Sequence, residues 1–338
     1  MKTILFIGSF LSNHDGSLSY SELLSKQLNN ASYNCILSSS SRNILKRLFN
    51  IILSLISFKG LIIHVDTFSD KAFYISIFAT RIAKIRHKKL ILTLRGGKFN
   101  EFYERHPNKV DRVLRRADVL QTPSKYLQKF FLNKGYKINY LPNAVDISKF
   151  TFERSIIRKH SILWVRAFTK IYNPDLAIYI VKELAGIYPD VTLTMVGPDK
   201  GNMLEMKYLA DKMNVFNRIT FVGPVAHHLL PRFFQTHEVY INTTSYESFG
   251  NAVLEAAACG VPIVSTAVGE IPHLWDDGED ILLVAEKNAN EFAKKIIRLF
   301  DDKSLAISIS KNARKKAENF CWHNIMPRWE ALFEEIEN

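Results

Sequence analysis

The chain has 338 residues, 47% hydrophobic and 23% charged, which excludes a disordered or collagen-like protein and corresponds to about two domains. Its 45 Lys and Arg against 33 Asp and Glu give a net charge of +12, and residues 1–150 alone hold 24 basic against 9 acidic residues. Three cysteines without a CxxC pair exclude a disulfide framework and a zinc knuckle, and indicate a reducing compartment.

The first half alternates short apolar runs with longer segments of helical periodicity. We predict strands over residues 3–10, 34–38, 61–65, 89–94, 119–121 and 138–141, with helices between them. The opening apolar run follows a Lys, as in a signal peptide. Polar residues come after it without a cleavage site of small residues, so we predict a first strand and not a leader.

One predicted helix, near residues 44–58, combines apolar residues at spacings of three and four with basic residues on either side. The apolar set is Ile44, Leu48, Ile52 and Leu55, and the basic set is Arg42, Lys46, Arg47 and Lys59. Two interpretations remain open: a helix packed on a sheet, and a helix lying in a bilayer interface. The apolar stretch is far shorter than the ~20 residues that span a bilayer.

A second series begins after a polar, basic stretch at residues 151–160. We predict strands over residues 161–165, 191–196, 219–222, 239–242, 262–265 and 281–284. This rhythm predicts two α/β domains with parallel sheets, over residues 1–155 and 156–317, and a closing helix over 318–338. Ligands of such sheets bind beyond the carboxyl ends of the strands.

The most informative segment follows the strand that ends at residue 242. A loop containing Glu247 turns at Gly250 into an Ala-rich helix that carries Glu255 and stops near Gly260. The N–H groups at such a helix start form an anion site suited to a diphosphate. Glu255 lies about 7.5 Å along the helix from Gly250 at 1.5 Å per residue. The two carboxylates can then address a sugar and a ribose on either side of a diphosphate.

These residues resemble a known site. Glu247 with Phe249 and Gly250, then Glu255 and Gly260-Val-Pro, are similar to the nucleotide-sugar motif of the retaining glycosyltransferases of family four, the glycosyl transferases group 1. The resemblance extends from about residue 1 to residue 330. It implies the GT-B fold, with two Rossmann-like domains facing each other across a cleft and a last helix that crosses back to the first domain.

The resemblance also implies residue roles. Catalytic roles fall on Glu247, Arg166 and Lys170, with Arg166 on the donor diphosphate and Glu247 on the donor sugar. The implied donor contacts are Glu255, Phe249, Gly250, Asn251, Gly16, Gly197 and Arg95, and the implied acceptor contacts are His14 and Asp15. Two positions depart from the family pattern: Lys170 follows Arg166 by four residues and not five, without the usual Gly, and Arg95 stands where many members have His.

The expected reaction moves a sugar from a UDP- or GDP-sugar to a hydroxyl of a glycan or lipid-linked acceptor, with retention. The chain contains no Asp-x-Asp, and the His227-His228 pair, which we interpret as part of a loop, lacks a third ligand, so we expect neither a metal nor another cofactor. No RNA-module signature accompanies the basic residues, which favours an anionic membrane surface over nucleic acid as the partner of the first half.

The expected setting is bacterial cell-surface polysaccharide or lipopolysaccharide and glycolipid assembly. The protein would then be cytoplasmic, or peripheral on the cytoplasmic face of the inner membrane. Two alternatives remain open, because a fold does not fix a chemistry. One is a sugar-nucleotide epimerase or hydrolase with the same two domains, and the other is an inactive membrane-associated protein that binds sugar nucleotides.

Overall fold

The computed structural model describes residues 2–12, 18–31, 33–153, 157–285 and 287–337, and the chain divides into two compact units. The first unit contains Met1–Asn143 and His323–Asn338, and the second contains Ala144–Trp322. The predicted division between residues 155 and 156 lies outside the described residues. The closing helix belongs to the first unit.

The first unit is built on a sheet of six parallel strands in the order β2-β1-β3-β4-β5-β6. The strands are β1 Lys2–Ile7, β2 Tyr33–Leu37, β3 Ile62–Thr67, β4 Lys89–Leu94, β5 Val119–Thr122 and β6 Asn139–Tyr140. The helices connecting them are α1 Tyr20–Asn30, α2 Ile44–Ser57, α3 Phe73–Ile85, α4 Phe99–Arg105, α5 Pro107–Leu114 and α6 Lys125–Asn133. Every residue of β3 is buried, as expected of a parallel strand covered on both faces.

The second unit repeats this plan with the strand order β12-β11-β10-β7-β8-β9, again all parallel. Its strands are β7 Arg158–Val165, β8 Thr192–Val196, β9 Ile219–Gly223, β10 His237–Asn242, β11 Ile263–Thr266 and β12 Leu282–Val284. Its helices are α7 Pro174–Ala185, α8 Met203–Lys212, α9 Leu230–Thr236, α10 Asn251–Ala258, α11 Ile271–Leu274, α12 Ala289–Asp301 and α13 Lys303–Glu318. The closing helix is α14 Trp322–Glu337.

All twelve predicted strands overlap strands of the structure, and the predicted α/β class with two parallel sheets is confirmed. The helix that starts after Gly250 is α10, and its alanines are buried. Small side chains allow α10 to pack closely in the core of the second unit. The core therefore fixes the position of the loop that precedes this helix.

The second sheet has a topological switch point between β7 and β10. The chain passes from β7 outward to β8 and β9, whereas β10, β11 and β12 extend in the opposite direction from β7. The loops after β7 and β10 consequently leave their neighbouring strand ends toward opposite sides and open a crevice between them. Both loops carry residues predicted to be functional.

Candidate functional site

The centre of the candidate site is a nearly buried ion pair between Arg166 and Glu247. Arg166 follows β7, and its Nη2 donates to Glu247 Oε2 at 2.6 Å. Nε and Nη2 also donate to the side-chain oxygen of Asn242, the last residue of β10, at 3.2 and 3.1 Å. The structure thus brings together two of the three predicted catalytic residues, Arg166 and Glu247, one from each side of the switch point.

Both oxygens of the Glu247 carboxylate are engaged. Oε2 accepts from Arg166, and Oε1 accepts from the backbone N–H groups of Ser248 and Phe249 at 3.2 and 3.5 Å. A carboxylate held in this way has little rotational freedom and retains lone pairs for sugar hydroxyl groups. The arrangement suits a positioning group better than a mobile nucleophile.

Two glycines allow the backbone to come close behind this pair. A Cβ at Gly197 would lie 1.8 Å from the carbonyl oxygen of Arg166, and a Cβ at Gly269 would lie 2.0 Å from that of Glu247. Both glycines have positive φ, +148° and +56° respectively. The resemblance assigned Gly197 to donor binding, and the structure places it directly against the backbone of the diphosphate-binding candidate.

Side chains tie the loops after β7 and β10 together. The side-chain amide of Asn173 donates to the carbonyl oxygen of Thr243 at 2.6 Å and to the hydroxyl of Ser245 at 3.0 Å. Asn173 has a left-handed backbone, with φ of 43°, a conformation that Asn tolerates better than most residues. Asn173 therefore makes a left-handed turn and adds a side-chain link between the loops.

Helix α10 begins in the geometry that an anion site requires. Gly250 is its N-cap, with φ of 94°, and the buried Phe249 ring anchors the preceding residue in the core. Asn251 is the first helical residue. The first N–H groups of a helix have no partner within it, and they carry the positive end of the helix dipole. The backbone donors of Gly250 and Asn251 thus follow Glu247 closely in the sequence, and a Cβ added at Gly250 would lie 3.5 Å from Glu247 Cγ.

Glu255 is held by a residue that the sequence did not single out as functional. Its Oε1 lies 2.8 Å from His227 Nε2, and the ring of His227 lies 5.3 Å from that of Phe150. The interpretation of the His227-His228 pair as a loop is corrected, because both residues lie in a short 3-10 helix, His227–Leu229. The sequence shows a histidine in the connection after β9. Its partner, Glu255, could be identified only from the structure.

The surroundings of Arg166 favour its charged form. Burial on its own lowers the pKa of a guanidinium, but the charges of Glu247, the two nearby tyrosines and Glu255 outweigh it and raise the pKa of Arg166 above its usual value. Nε and Nη2 hold Asn242 and Glu247, whereas Nη1 makes no hydrogen bond to any described residue. Nη1 thus remains as a charged donor for an anionic ligand.

Lys170 is not a hydrogen-bond partner of Arg166 or Glu247. It begins a 3-10 helix, Lys170–Tyr172, and its side chain is exposed. It lines a surface pocket of about 450 Å³ together with Asn173 and with residues of α7 and α8 such as Lys212. Among the described residues its ammonium group forms no hydrogen bond or ion pair, so the ammonium is available to a ligand.

In the first unit, Arg95 takes part in a buried polar cluster after β3 and β4. Its Nε donates to Asp66 Oδ1 and its Nη1 to the side-chain oxygen of Asn143. Burial would raise the pKa of Asp66, but the charges of Arg95 and His64 and a hydrogen bond from Ser21 lower it. The guanidinium thus stabilises the carboxylate, while its Nη2, also buried, has no hydrogen-bond partner among the described residues.

Three residues with predicted roles fall in a segment of the first unit without a described structure. Gly16, His14 and Asp15, assigned to the donor and the acceptor, lie outside the described residues. Within the part of the chain that the structure describes, no group of three or more His, Cys, Asp or Glu side chains is arranged to hold a metal ion. In the same part, no helix combines the length and the apolar character needed to cross a membrane.

The sequence has relatives among known proteins. The model of the family described as glycosyl transferases group 1 matches residues 149–316. A phosphatidylinositol N-acetylglucosaminyltransferase chain of Arabidopsis thaliana is 25% identical over 59% of this chain and 44% of its own length. D-inositol 3-phosphate glycosyltransferase of Corynebacterium jeikeium is 27% identical over 59% of this chain and 52% of its own length. The alignments thus span about half the length of these curated relatives.

Solved structures share the fold over the whole chain. Sucrose-phosphate synthase from Thermosynechococcus elongatus superposes with a TM-score of 0.81 at 17% identity and covers 99% of each chain. Anabaena HepE in complex with UDP and glucose superposes with a TM-score of 0.77 at 17% identity, over 99% of this chain and 100% of its own. At this level of identity the similarity establishes the GT-B type of fold.

Proposed function

This chain belongs to the glycosyl transferases group 1 family, and from that premise we propose that it moves a sugar from a nucleotide-diphosphate sugar to an acceptor hydroxyl, with retention at the anomeric carbon. The observation that carries the proposal is the Arg166–Glu247 pair at the switch point of the second sheet, next to the start of α10. This places one cationic edge, one fixed carboxylate and a set of backbone donors at adjacent loop ends.

The diphosphate would rest against the N–H groups of Gly250 and Asn251, with Nη1 of Arg166 as its charged donor. Cleavage of the bond between the anomeric carbon and the diphosphate oxygen leaves an additional negative charge on the diphosphate. Preorganised donors stabilise such a charge without reorganisation, and removal of one such donor typically costs about 10²–10³-fold in rate. Lys170, with its available ammonium group, is a further candidate for the same charge.

The two glutamates would bind opposite ends of the donor. Glu247 would accept hydrogen bonds from the transferred sugar, and Glu255 from the ribose hydroxyl groups. Since Glu255 also contacts His227, its carboxylate is oriented before the donor arrives. Oriented partners reduce the entropy that must be lost on binding.

The transfer itself would need no protein nucleophile. The acceptor oxygen attacks the anomeric carbon from the face that the diphosphate leaves, and the acceptor proton passes to the departing phosphate oxygen. The engaged oxygens of Glu247 favour this route over a covalent glycosyl-enzyme. We propose that the reaction proceeds without a divalent cation or another cofactor.

The acceptor side of the reaction is assigned to the first unit. Two relatives carry names that refer to a phosphatidylinositol or an inositol phosphate, which supports an acceptor that contains a phosphate or a lipid. Together with the basic first half, this favours a lipid-linked or phosphorylated acceptor at an anionic membrane surface. The proposed setting is cell-surface polysaccharide or glycolipid assembly at the cytoplasmic face of the inner membrane.

A labelled donor distinguishes this proposal from its alternatives. A panel of UDP- and GDP-sugars, each labelled in the sugar, should give a product only when an acceptor is present, and its anomeric configuration by NMR should match that of the donor. Release of free sugar as the main product without acceptor would favour a hydrolase, and an epimerised donor would favour an epimerase. Binding of a donor without any turnover would favour the inactive binding protein.

A further inference from the structure

Helix α2 is apolar on two opposite faces. Ile51 and Leu55 are fully buried in the core of the first unit. On the other side, Leu45, Phe49, Leu53 and Ile56 are exposed, and Leu45 and Phe49 are 77% and 61% accessible. Spacings of four, four and three residues place these four side chains along one stripe of the helix. The set expected from the sequence is thereby corrected, because Leu55 belongs to the buried face.

Helix α3, which lies beside α2, also exposes apolar side chains. The chain passes from β2 to β3 and from β3 to β4 in the same direction across the sheet, and right-handed connections place α2 and α3 on the same side. Arg86 Nη1, directly after α3, donates to the carbonyl oxygen of Leu55 at 3.2 Å. Phe78 and Ile85 of α3 are also exposed. We define the α2–α3 face as Leu45, Phe49, Leu53, Ile56, Phe78 and Ile85.

Basic residues predominate in the segment that carries this face, although Lys84 of α3 is paired with Asp118. Residues 23–100 contain 13 Lys and Arg but only two acidic residues, Asp66 and Asp70. Asp66 is buried against Arg95 and does not compensate the surface charge. Lys46 lies on α2 itself and Lys59 just beyond its end, and both are exposed. An apolar stripe bordered by cations has the composition of a surface that binds anionic lipid.

We propose that the α2–α3 face inserts its apolar side chains into the interface of an anionic bilayer, with the surrounding Lys and Arg on the lipid phosphates. Six large exposed apolar side chains on two neighbouring helices are typical of a surface that binds a partner or a membrane. A second copy of the chain is a poorer occupant, because a symmetric interface would bring like charges together. A role of this face in bringing the enzyme to a lipid-linked acceptor depends on the proposed function. Its binding to a bilayer is inferred independently, from the exposed apolar and basic residues named above.

Vesicle sedimentation tests the proposal with the full chain. Wild-type protein should sediment with vesicles of 70% phosphatidylcholine and 30% phosphatidylglycerol, and it should bind only weakly to vesicles of pure phosphatidylcholine. Added salt should weaken the binding to the anionic vesicles. The double variant Leu45→Ser with Phe49→Ser should bind the anionic vesicles at least about tenfold less tightly, because it loses two large inserting side chains. Its melting temperature should match that of the wild type, because both side chains are exposed.

A matched control removes apolar surface elsewhere. Leu204 and Ile307, in the second unit, are 80% and 55% accessible, and the double variant Leu204→Ser with Ile307→Ser should bind anionic vesicles as the wild type does. The pair Lys46→Gln with Lys59→Gln should weaken binding to anionic vesicles through charge alone. This charge variant keeps the test independent of any effect of the serine substitutions on folding.

Three outcomes would overturn the proposal. The first is equal binding of the wild type to neutral and anionic vesicles. The second is unchanged binding of both the double serine variant and the double glutamine variant to anionic vesicles. The third is a concentration-dependent dimer that the Leu45→Ser and Phe49→Ser variant abolishes, because it would assign the face to a second copy. Turnover of the nucleotide-sugar donor with a soluble acceptor, measured without vesicles, should be the same in the wild type and this variant. Absence of turnover in both would contradict the proposed function and leave the vesicle result standing.

Discussion

Substitution of Gly197 by Ala should disable the site without touching a side chain of the Arg166–Glu247 pair. The new Cβ would lie 1.8 Å from the Arg166 carbonyl oxygen, and real Cβ contacts are not found below 3.0 Å. The backbone of Arg166 therefore has to move by about 1.2 Å at least. A misplacement of ~1 Å in a catalytic constellation can reduce the rate about 10²-fold.

The same substitution also costs stability, because φ at residue 197 is +148°. An alanine held in such a backbone conformation costs about 1–3 kcal/mol. Gly278→Ala is a matched control for this part of the effect, since Gly278 has φ of +81° and a Cβ added there would meet no atom within 4 Å. The control should lose some thermal stability and keep its turnover.

The assay is the initial rate of donor consumption with acceptor, at a temperature well below the melting point of either variant. We expect Gly197→Ala to lose about two orders of magnitude in kcat/KM relative to Gly278→Ala. If the two variants turn over donor at rates within twofold of each other, the close packing behind Arg166 has no part in its function, and the assignment of this backbone to the site is wrong.

The remaining predictions concern the donor carboxylate, metal and pH. His227→Ala should weaken donor binding about three- to tenfold by titration calorimetry and His227→Gln should restore most of it, whereas equal loss in both would contradict a positioning role. Turnover should persist in excess chelator, and loss that Mn²⁺ reverses would refute a metal-free reaction. Burial lowers the pKa of His64 to about 4. As the pH falls from about 6.5 to 4, only the unfolded chain takes up a proton at this residue, so the free energy of unfolding should fall by up to about 3 kcal/mol over that window. His64→Gln should flatten this part of the pH dependence of Tm, and an unchanged slope would argue against it.

Much of the fold could be predicted because the period of the apolar residues and the positions of the polar residues between them can be read from short stretches of sequence. The apolar runs that became β7 and β10 are short, buried and bounded by polar residues, so their ends were visible, and with them the location of Arg166 and Glu247. The start of α10 near Gly250 was visible for the same reason, whereas the left-handed backbone of Gly250, with φ of 94°, was not predicted.

The partners of these residues could not be predicted, because they depend on contacts between distant segments. His227 reaches Glu255 across 28 residues, and nothing in the spacing of the two marks the pairing. The burial of Arg95 on Asp66 depends on the neighbouring positions of β3 and β4 in the sheet. The same limit applies to α2, whose two apolar faces could be separated only once the sheet beneath it was known.

The binding of a diphosphate at the start of α10 is the claim on which the proposed chemistry depends. A crystal of the chain soaked with a UDP-sugar, and a second with a GDP-sugar, measures it directly. We predict density for the diphosphate within hydrogen-bond distance of the N–H groups of Gly250 and Asn251 and of Nη1 of Arg166, with the ribose on Glu255. Density for the nucleotide at another place, with these donors still without a ligand, would contradict the account.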